Sequence, residues 1–187
     1  MARLEGLRVA VLATDGFEES ELTEPVKALR NEGAKIEIIA PEVKKLQAFR
    51  HMDKGTTVQA DHKLADVNPD DYDALLLPGG ALNADFMRVV PEVKRFVQSF
   101  DRAGKPMAVI CHAPWLLVSA GCVRGRTLTS YHTIQDDIRN AGGNWVDREM
   151  VEDRNLVTSR QPKDLPAFIK AMTALFERSR TAAAAHH

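Results

Sequence analysis

A cysteine followed directly by a histidine is the residue pair in this sequence best suited to nucleophilic chemistry. Cys111 ends the apolar run at residues 106–110, and Pro114 suits the first turn of a helix that follows. A strand-to-helix turn lifts a side chain out of a sheet, and a helix start favours the thiolate form. We therefore predict that Cys111 is a nucleophile. The alternative is a small buried hydrophobic residue, as most free cysteines are.

His112 has two possible roles next to this thiol. Its imidazole could act as a base on a bound substrate, or it could meet a carboxylate that orients it. Neighbours in a tight turn usually point apart, so direct contact with the thiol is not required. The alternative is a surface histidine in a loop. The second cysteine, Cys122, follows Gly121 at a predicted helix end and is interpreted as structural.

An acidic segment, DGFEES at residues 15–20, follows the first predicted strand. Glu18 could face Cys111 across the strand ends, where a carboxyl beside a thiolate should be protonated because two adjacent anions repel. Glu19, Glu21 and Glu24 compete for this role, and periodicity does not separate them. The alternative is that these acids only favour the first turn of a helix.

The stretch Pro78-Gly79-Gly80 offers backbone amides that side chains do not obstruct. Such amides can stabilise an oxyanion, although a glycine pair can equally be a plain turn. No GxGxxG, P-loop or HExxH pattern occurs, so we predict no cofactor and no metal. His132 and Asp136 share a helical spacing, but two ligands alone do not make a metal site.

Strands and helices alternate along the chain, which predicts a parallel sheet covered on both faces. We expect a small hairpin insertion within residues 46–60, around Lys54 and Gly55. In such folds the functional site lies beyond the carboxyl ends of the strands. The predicted strands are residues 7–13, 35–40, 73–77, 106–110 and 127–130, with two or three more in 144–158; the predicted helices are 19–31, 91–103, 114–120, 133–140 and 162–178.

Composition limits the class of protein. The chain has 187 residues and a formal net charge of −1, with no apolar run near the roughly 20 residues of a membrane span. The charges are dispersed, so we expect no nucleic-acid and no membrane partner. Two cysteines without a disulfide or zinc spacing fit the reducing cytoplasm. We predict one domain over residues 1–180, with a tag-derived tail, TAAAAHH, at 181–187.

The chain resembles the ThiJ/PfpI superfamily, and its PfpI-like branch in particular, from about residue 7 to residue 176. The matching segments are DGFEESEL, DALLLPGG, GKPMAVICHAPWLLVSAG, LRNEGA, GRTLTSY and NLVTSRQPKDLPAF. The resemblance implies a flavodoxin-like three-layer αβα sandwich with a mostly parallel sheet.

The resemblance also implies roles for individual residues. Cys111 would be the nucleophile, Glu18 its hydrogen-bond partner, and the backbone amides of Gly80 and His112 an oxyanion pocket. An acid of a neighbouring subunit would meet His112, and Asp85 is the single acid in PGGALNADFMR. A homodimer or a larger homo-oligomer is therefore expected.

Two residues depart from the family pattern. Ala113 stands where relatives often have glycine, and Trp115 where they often have glutamine. A methyl group at the turn and an indole near the pocket could narrow access to Cys111, so the substrate preference of relatives need not transfer.

Three hypotheses follow from the family. The preferred one is a cytoplasmic stress-response protein in which Cys111 attacks a small reactive carbonyl such as methylglyoxal, with His112 as a proton shuttle, in glyoxalase- or deglycase-type chemistry. The second is a PfpI-type cysteine peptidase acting on peptides. The third is a non-enzymatic oxidative-stress sensor or chaperone that uses oxidation of Cys111.

Overall fold

A computed structural model describes residues 2–184 of the chain. Its strands β1 to β12 are Arg8–Leu12, Phe17–Glu18, Lys35–Ala40, Lys45–Arg50, Asp53–Gln59, His62–Lys63, Ala74–Leu77, Met107–Ile110, Thr127–Leu128, Asn144–Trp145, Val151–Asp153 and Leu156–Ser159. Its helices α1 to α6 are Glu19–Asn31, Ala81–Met87, Pro91–Arg102, Pro114–Ser119, Gln135–Asn140 and Leu165–Ala184.

The central sheet has seven strands in the order β11-β12-β8-β7-β1-β3-β6. Every neighbouring pair runs parallel except β11 and β12, which are antiparallel. The predicted mostly parallel sheet is therefore confirmed. The carboxyl ends of β1, β7 and β8 meet at one edge, which brings together the acidic segment, the glycine turn and Cys111.

Both faces of the sheet are covered by helices, as the predicted αβα sandwich requires. Successive residues of β1 point to opposite faces. Val9 and Val11 pack into one core with residues of α1 and α6. Ala10 and Leu12 pack into a second core with residues of α2, α3, α4 and α5. Because these strands are buried on both faces, their sequences are continuous apolar runs.

The predicted hairpin insertion is present, but its turn lies elsewhere than predicted. Strands β4 and β5 pair antiparallel, and β2 adds to β4 as a third strand. The chain reverses at residues 51–52, where His51 has a positive φ of 59°. Lys54 lies opposite Phe49 inside the ladder. Glycine suggested a turn at Gly55, but that residue is part of β5.

Two helical segments differ from the predicted ones. The short helix α2 directly after the glycine turn was not predicted, because PGG and the polar Asn83 and Asp85 resemble a loop. The last helix begins after a 3₁₀ turn at Pro162–Asp164 and continues to Ala184. Residues 181–184 of the predicted tail thus continue α6, and 185–187 lie outside the described residues. Within residues 2–184 no helix is long and apolar enough to cross a membrane.

Candidate active site

Cys111 follows β8 in a backbone conformation that few residues other than glycine adopt, with φ at 65°. Two hydrogen bonds hold it there: its N–H donates to the Ser159 carbonyl at 3.0 Å, and its carbonyl accepts from the Tyr131 N–H at 2.8 Å. The residue is 6% exposed. The predicted strand-to-helix elbow is therefore present, and strained backbone of this kind is concentrated at functional sites.

The carboxyl group beside Cys111 belongs to Glu21, which corrects the predicted contact with Glu18. A Cβ placed on Gly79 would lie 2.5 Å from Glu21 Oε1 and 2.6 Å from Cys111 Cβ, so the two side chains meet over this glycine. Any side chain at position 79 would separate them. Glu18 instead faces the hairpin, where its Oε2 accepts a hydrogen bond from the His51 N–H at 3.1 Å.

The start of α1 explains which glutamate turns inward. Glu18 precedes the helix with extended backbone, at φ −72° and ψ 120°, so the helical period does not carry it towards the sheet. Glu21 lies inside the helix on its buried face, four residues before Pro25 and eight before Leu29. The spacing of Glu21 from the buried Pro25 and Leu29 is the sequence signal that distinguishes it from the other glutamates, once the helix start is known.

Burial controls the ionisation of this pair. It raises the pKa of the fully buried Glu21 carboxyl well above its usual range, and the charge of Glu18 raises that pKa further. Burial also raises the pKa of the Cys111 thiol, and Glu21 adds to this effect. The expected lowering of the thiol pKa by the helix start is thus outweighed by desolvation. Because adjacent anions repel, Glu21 stays protonated when Cys111 is a thiolate.

Hydrogen bonding around Glu21 is incomplete. Neither of its carboxyl oxygens has a partner of strict hydrogen-bond geometry within residues 2–184. The Cys111 thiol and the Gly79 amide are nevertheless close enough to lower its pKa in part. Unmet hydrogen-bonding capacity costs most for a charged carboxylate, which favours the protonated form of Glu21.

Two backbone amides point at the Cys111 sulfur. The N–H groups of Gly80 and His112 act as hydrogen-bond donors to it and lower its pKa against the larger effect of burial. Gly80 has a φ of 97°, which a residue with a side chain rarely adopts. These are the two amides predicted to form the oxyanion pocket, and their direction fits that role.

The imidazole of His112 contacts the thiol, although adjacent residues were expected to point apart. Its Nδ1 lies 3.2 Å from Cys111 Sγ, and its Nε2 lies 3.5 Å from Thr133 Oγ1. The ring stacks on Tyr131 with centroids 4.6 Å apart. Burial lowers the pKa of His112 to about 4, and His132 adds to the effect. His112 is therefore neutral at pH 7 and able to accept a proton.

The Trp115 ring packs against the ring of His112 beside the reactive cysteine. The two ring centroids are 5.7 Å apart in an edge-to-face arrangement. The indole is fixed from both sides: its Nε1 donates to Asp137 Oδ2 at 2.9 Å, and the Arg88 guanidinium lies 4.8 Å from its centre. Ala113 is fully buried, so its methyl group packs in the core.

Asp85 lies on α2 and is exposed. Three large apolar side chains around it, Leu82, Phe86 and Val89, are also exposed, Val89 by 70%. Spacings of three and four residues place Leu82, Asp85 and Phe86 on one stripe of α2, and Val89 follows two residues after the helix ends. Exposed apolar side chains grouped in this way favour an interface with another chain.

No group of three or more metal-binding side chains is assembled within residues 2–184. Both cysteines are free thiols. Cys122 is buried next to Ala120, where burial raises its pKa to about 12. It has neither the amides nor the imidazole that surround Cys111.

Brief alkylation near neutral pH should therefore label Cys111 before Cys122. Cys111 has an acceptor for its proton in His112 and two amides for its charge, and both are lacking at Cys122. Mass spectrometry of the digested protein measures the labelling, with Cys122→Ser as the control for single-site reaction. Preferential labelling of Cys122 in the folded protein would contradict the assignment.

Comparison with known proteins identifies the family of the chain. The model of the DJ-1/PfpI family matches residues 7–175. Protein/nucleic acid deglycase 2 of Escherichia coli is 41% identical over 86% of this chain and 92% of its own length. General stress protein 18 of Bacillus subtilis is 40% identical over 92% of this chain and 99% of its own.

A solved structure extends the likeness to the fold. Drosophila melanogaster DJ-1beta superposes with a TM-score of 0.82 and 26% identity, over 95% of this chain and 97% of its own. The family match spans the acidic segment, the glycine turn and the Cys111 elbow, which are the parts that assemble the site. The chain therefore belongs to the DJ-1/PfpI family.

Proposed function

We propose that this chain is a cytoplasmic stress-response enzyme in which Cys111 attacks reactive carbonyls, in glyoxalase- or deglycase-type chemistry. One observation carries the proposal: the Cys111 sulfur lies between two backbone amides, a neutral imidazole and a protonated carboxyl. The E. coli relative is named a deglycase, and the B. subtilis relative a general stress protein, which supports the same class. The two free thiols fit a reducing compartment.

The first chemical step is addition of the thiol to an aldehyde. Sulfur bonds to the aldehyde carbon, the carbonyl π electrons move to oxygen, and the thiol proton passes to His112 Nδ1, 3.2 Å from the sulfur. The amides of Gly80 and His112 stabilise the new oxyanion. Thus the imidazole of His112 supplies the base and its backbone supplies one of the two donors.

For methylglyoxal, the second stage moves one proton between neighbouring carbons. The imidazolium first returns its proton to the oxyanion, which gives the neutral hemithioacetal and restores the base. The imidazole then removes the proton of the hemithioacetal carbon and delivers it to the former ketone carbon, while the hydroxyl proton moves to the former ketone oxygen. The product is a thioester of lactate with Cys111. Water then cleaves the thioester and frees the thiol, so the sum is methylglyoxal plus water to lactate. Both transfers are most efficient when the pKa of the base lies near the working pH, and the pKa of about 4 that His112 has in the single chain lies below it. The dimer contact with Asp85 proposed below would raise that pKa towards neutral pH.

Glu21 is the group that we assign to the proton balance of the sulfur, in the place predicted for Glu18. Its raised pKa keeps it protonated beside a thiolate. It can therefore donate to the sulfur while His112 works on the substrate. Oxidised sulfur could use the same donor, which keeps the sensor hypothesis open as a second role of this site.

The partner classes follow from the same site. A small carbonyl fits a cysteine residue that is 6% exposed, whereas a peptidase must admit an extended chain. Dispersed charge argues against stable nucleic-acid binding, as predicted, but the name of the E. coli relative includes nucleic acid as a substrate class. A brief encounter with a glycated base needs no basic patch, so glycated nucleotides belong among the substrates to be assayed.

We further propose a homodimer in which Asp85 of one subunit meets His112 of the other. The exposed apolar stripe around Asp85 supports this arrangement. Arg88, directly after α2, contacts the Trp115 ring, and Trp115 contacts His112, so contacts connect the surface that carries the stripe to His112. A two-fold axis through that surface would place each stripe against the partner's histidine.

The Asp85→Asn variant should lower the pKa of His112. In the single chain that pKa is about 4, and a carboxylate from a partner would raise it by favouring the imidazolium. NMR titration of the imidazole in wild type and Asp85→Asn measures the difference, with the distant exposed acid Asp70 changed to Asn as the control. Equal values in wild type and Asp85→Asn, or a monomer by light scattering at micromolar concentration, would contradict the dimer contact.

A further inference from the structure

Asn83 is a buried polar side chain whose amide oxygen and amide nitrogen both make hydrogen bonds. It lies in the first turn of α2 and is 1% exposed. Its Oδ1 accepts a hydrogen bond from the Thr14 N–H at 2.8 Å. Its Nδ2 donates to the carbonyls of Pro78 at 3.2 Å and Gly79 at 3.3 Å. One amide therefore connects the chain after β1 to the glycine turn after β7.

The Gly79 carbonyl belongs to the same peptide group as the Gly80 N–H. In a planar trans peptide the two point in opposite directions. The carbonyl is held from one side by Asn83 Nδ2 and by the Glu18 N–H, the latter at 3.2 Å. The Gly80 N–H must then point the other way, where it meets the Cys111 sulfur.

This peptide needs an external anchor because glycine stands on both of its sides. Without side chains, rotation of the Gly79–Gly80 peptide group meets little steric resistance. A rotated peptide would turn its carbonyl towards the sulfur, which would repel a thiolate or an oxyanion. Glycine cannot be replaced at position 79, since a Cβ there would overlap Glu21 and Cys111. The turn must be kept in place by contacts from outside it.

We propose that Asn83 is a positioning residue that locks the Gly79–Gly80 peptide so that the Gly80 amide faces the Cys111 sulfur. Its effect on the thiol is argued from the hydrogen bonds that fix this peptide, and its effect on turnover rests on the carbonyl chemistry proposed above. Asn83 touches neither the sulfur nor the substrate, so it acts through the amide that it orients.

The test is Asn83→Ala in a Cys122→Ala background, which leaves one thiol to titrate. The thiol pKa, measured by the ultraviolet absorbance of the thiolate, should rise by about one unit, which is a tenfold smaller thiolate fraction at a given pH. Methylglyoxal kcat should fall about tenfold or more, towards the ~10²–10³ that loss of an oxyanion donor costs, while KM stays nearly constant.

The matched control is Asn155→Ala in the same background. Asn155 Nδ2 also donates to a carbonyl, that of Lys105 at 2.8 Å, but at the opposite end of the sheet. It should lower the melting temperature without changing the thiol pKa. If Asn83→Ala also lowers the melting temperature and leaves the thiol pKa unchanged, Asn83 is only structural and the proposal is wrong. If the wild type consumes no methylglyoxal, the proposed function fails, while the thiol pKa still decides the role of Asn83.

Asn83→Ser replaces the alanine variant if the latter does not fold.

In the wild type, NMR of glycine labelled with ¹⁵N offers a measurement without mutation at the turn. The Gly80 amide resonance should shift as Cys111 ionises, and the Asn83 side-chain amide protons should exchange slowly with solvent. A Gly80 amide that is insensitive to the thiol, or rapid exchange at Asn83, would overturn the proposal.

Discussion

Cys111→Ser should abolish methylglyoxal turnover, and His112→Ala should lower it by about 10²–10⁴, the usual cost of removing a general base. The alanine variant keeps the backbone N–H of residue 112, which also serves the site. The comparison therefore measures the loss of the imidazole alone, whose Nδ1 lies 3.2 Å from the sulfur. Lactate formed per subunit separates repeated turnover from single trapping by the thiol. Cys122→Ser is the control and should keep full activity.

The same variants distinguish an enzyme from a sensor. His112→Ala should still be oxidised at Cys111 by peroxide, because oxidation needs only an accessible thiolate and a group that holds its product. Carbonyl loss that is unchanged in His112→Ala would indicate trapping by the thiol and would favour the sensor. Cleavage of peptides by the wild type, lost in Cys111→Ser, would favour the peptidase instead.

The second large effect is expected for Glu21→Leu under mild peroxide. In the wild type the protonated carboxyl, whose pKa burial raises, can donate to a sulfinate at Cys111 and stabilise that state. Leucine cannot donate, so the sulfur should stop at another oxidation state or progress further. Intact-mass measurement over time identifies the products.

Two companion variants identify the carboxyl responsible. Glu21→Gln keeps a hydrogen-bond donor but removes the acid. Its yield of sulfinate should therefore lie between those of the wild type and Glu21→Leu. Glu18→Gln changes the glutamate that faces the hairpin, where Oε2 accepts from the His51 N–H, and should oxidise as the wild type does. Identical products in Glu21→Leu and wild type, or a changed product in Glu18→Gln alone, would return the role to Glu18.

Local pattern was sufficient for most of the fold. The strand Lys35–Ala40 and the helix Glu19–Asn31 have the predicted bounds, since period and stop signals act over a few residues. Helix α2 was missed because its contacts are not local. Asn83 there accepts a hydrogen bond from the Thr14 N–H, 69 residues away along the chain. Gly16 allows Leu82 to approach so closely that a Cβ at position 16 would lie 2.5 Å from the Leu82 Cβ.

The sequence by itself determined the αβα class, the resemblance to the family and the position of Cys111 at a strand-to-helix junction. Only the tertiary structure decided which glutamate meets the sulfur, that the His112 ring contacts the thiol, and that burial raises the thiol pKa. The physical reason is that chain order places residues on elements, whereas ionisation and contact depend on the distance between elements. A shift of three residues, from Glu18 to Glu21, exchanges a carboxylate facing the hairpin for a buried carboxyl at the reactive sulfur.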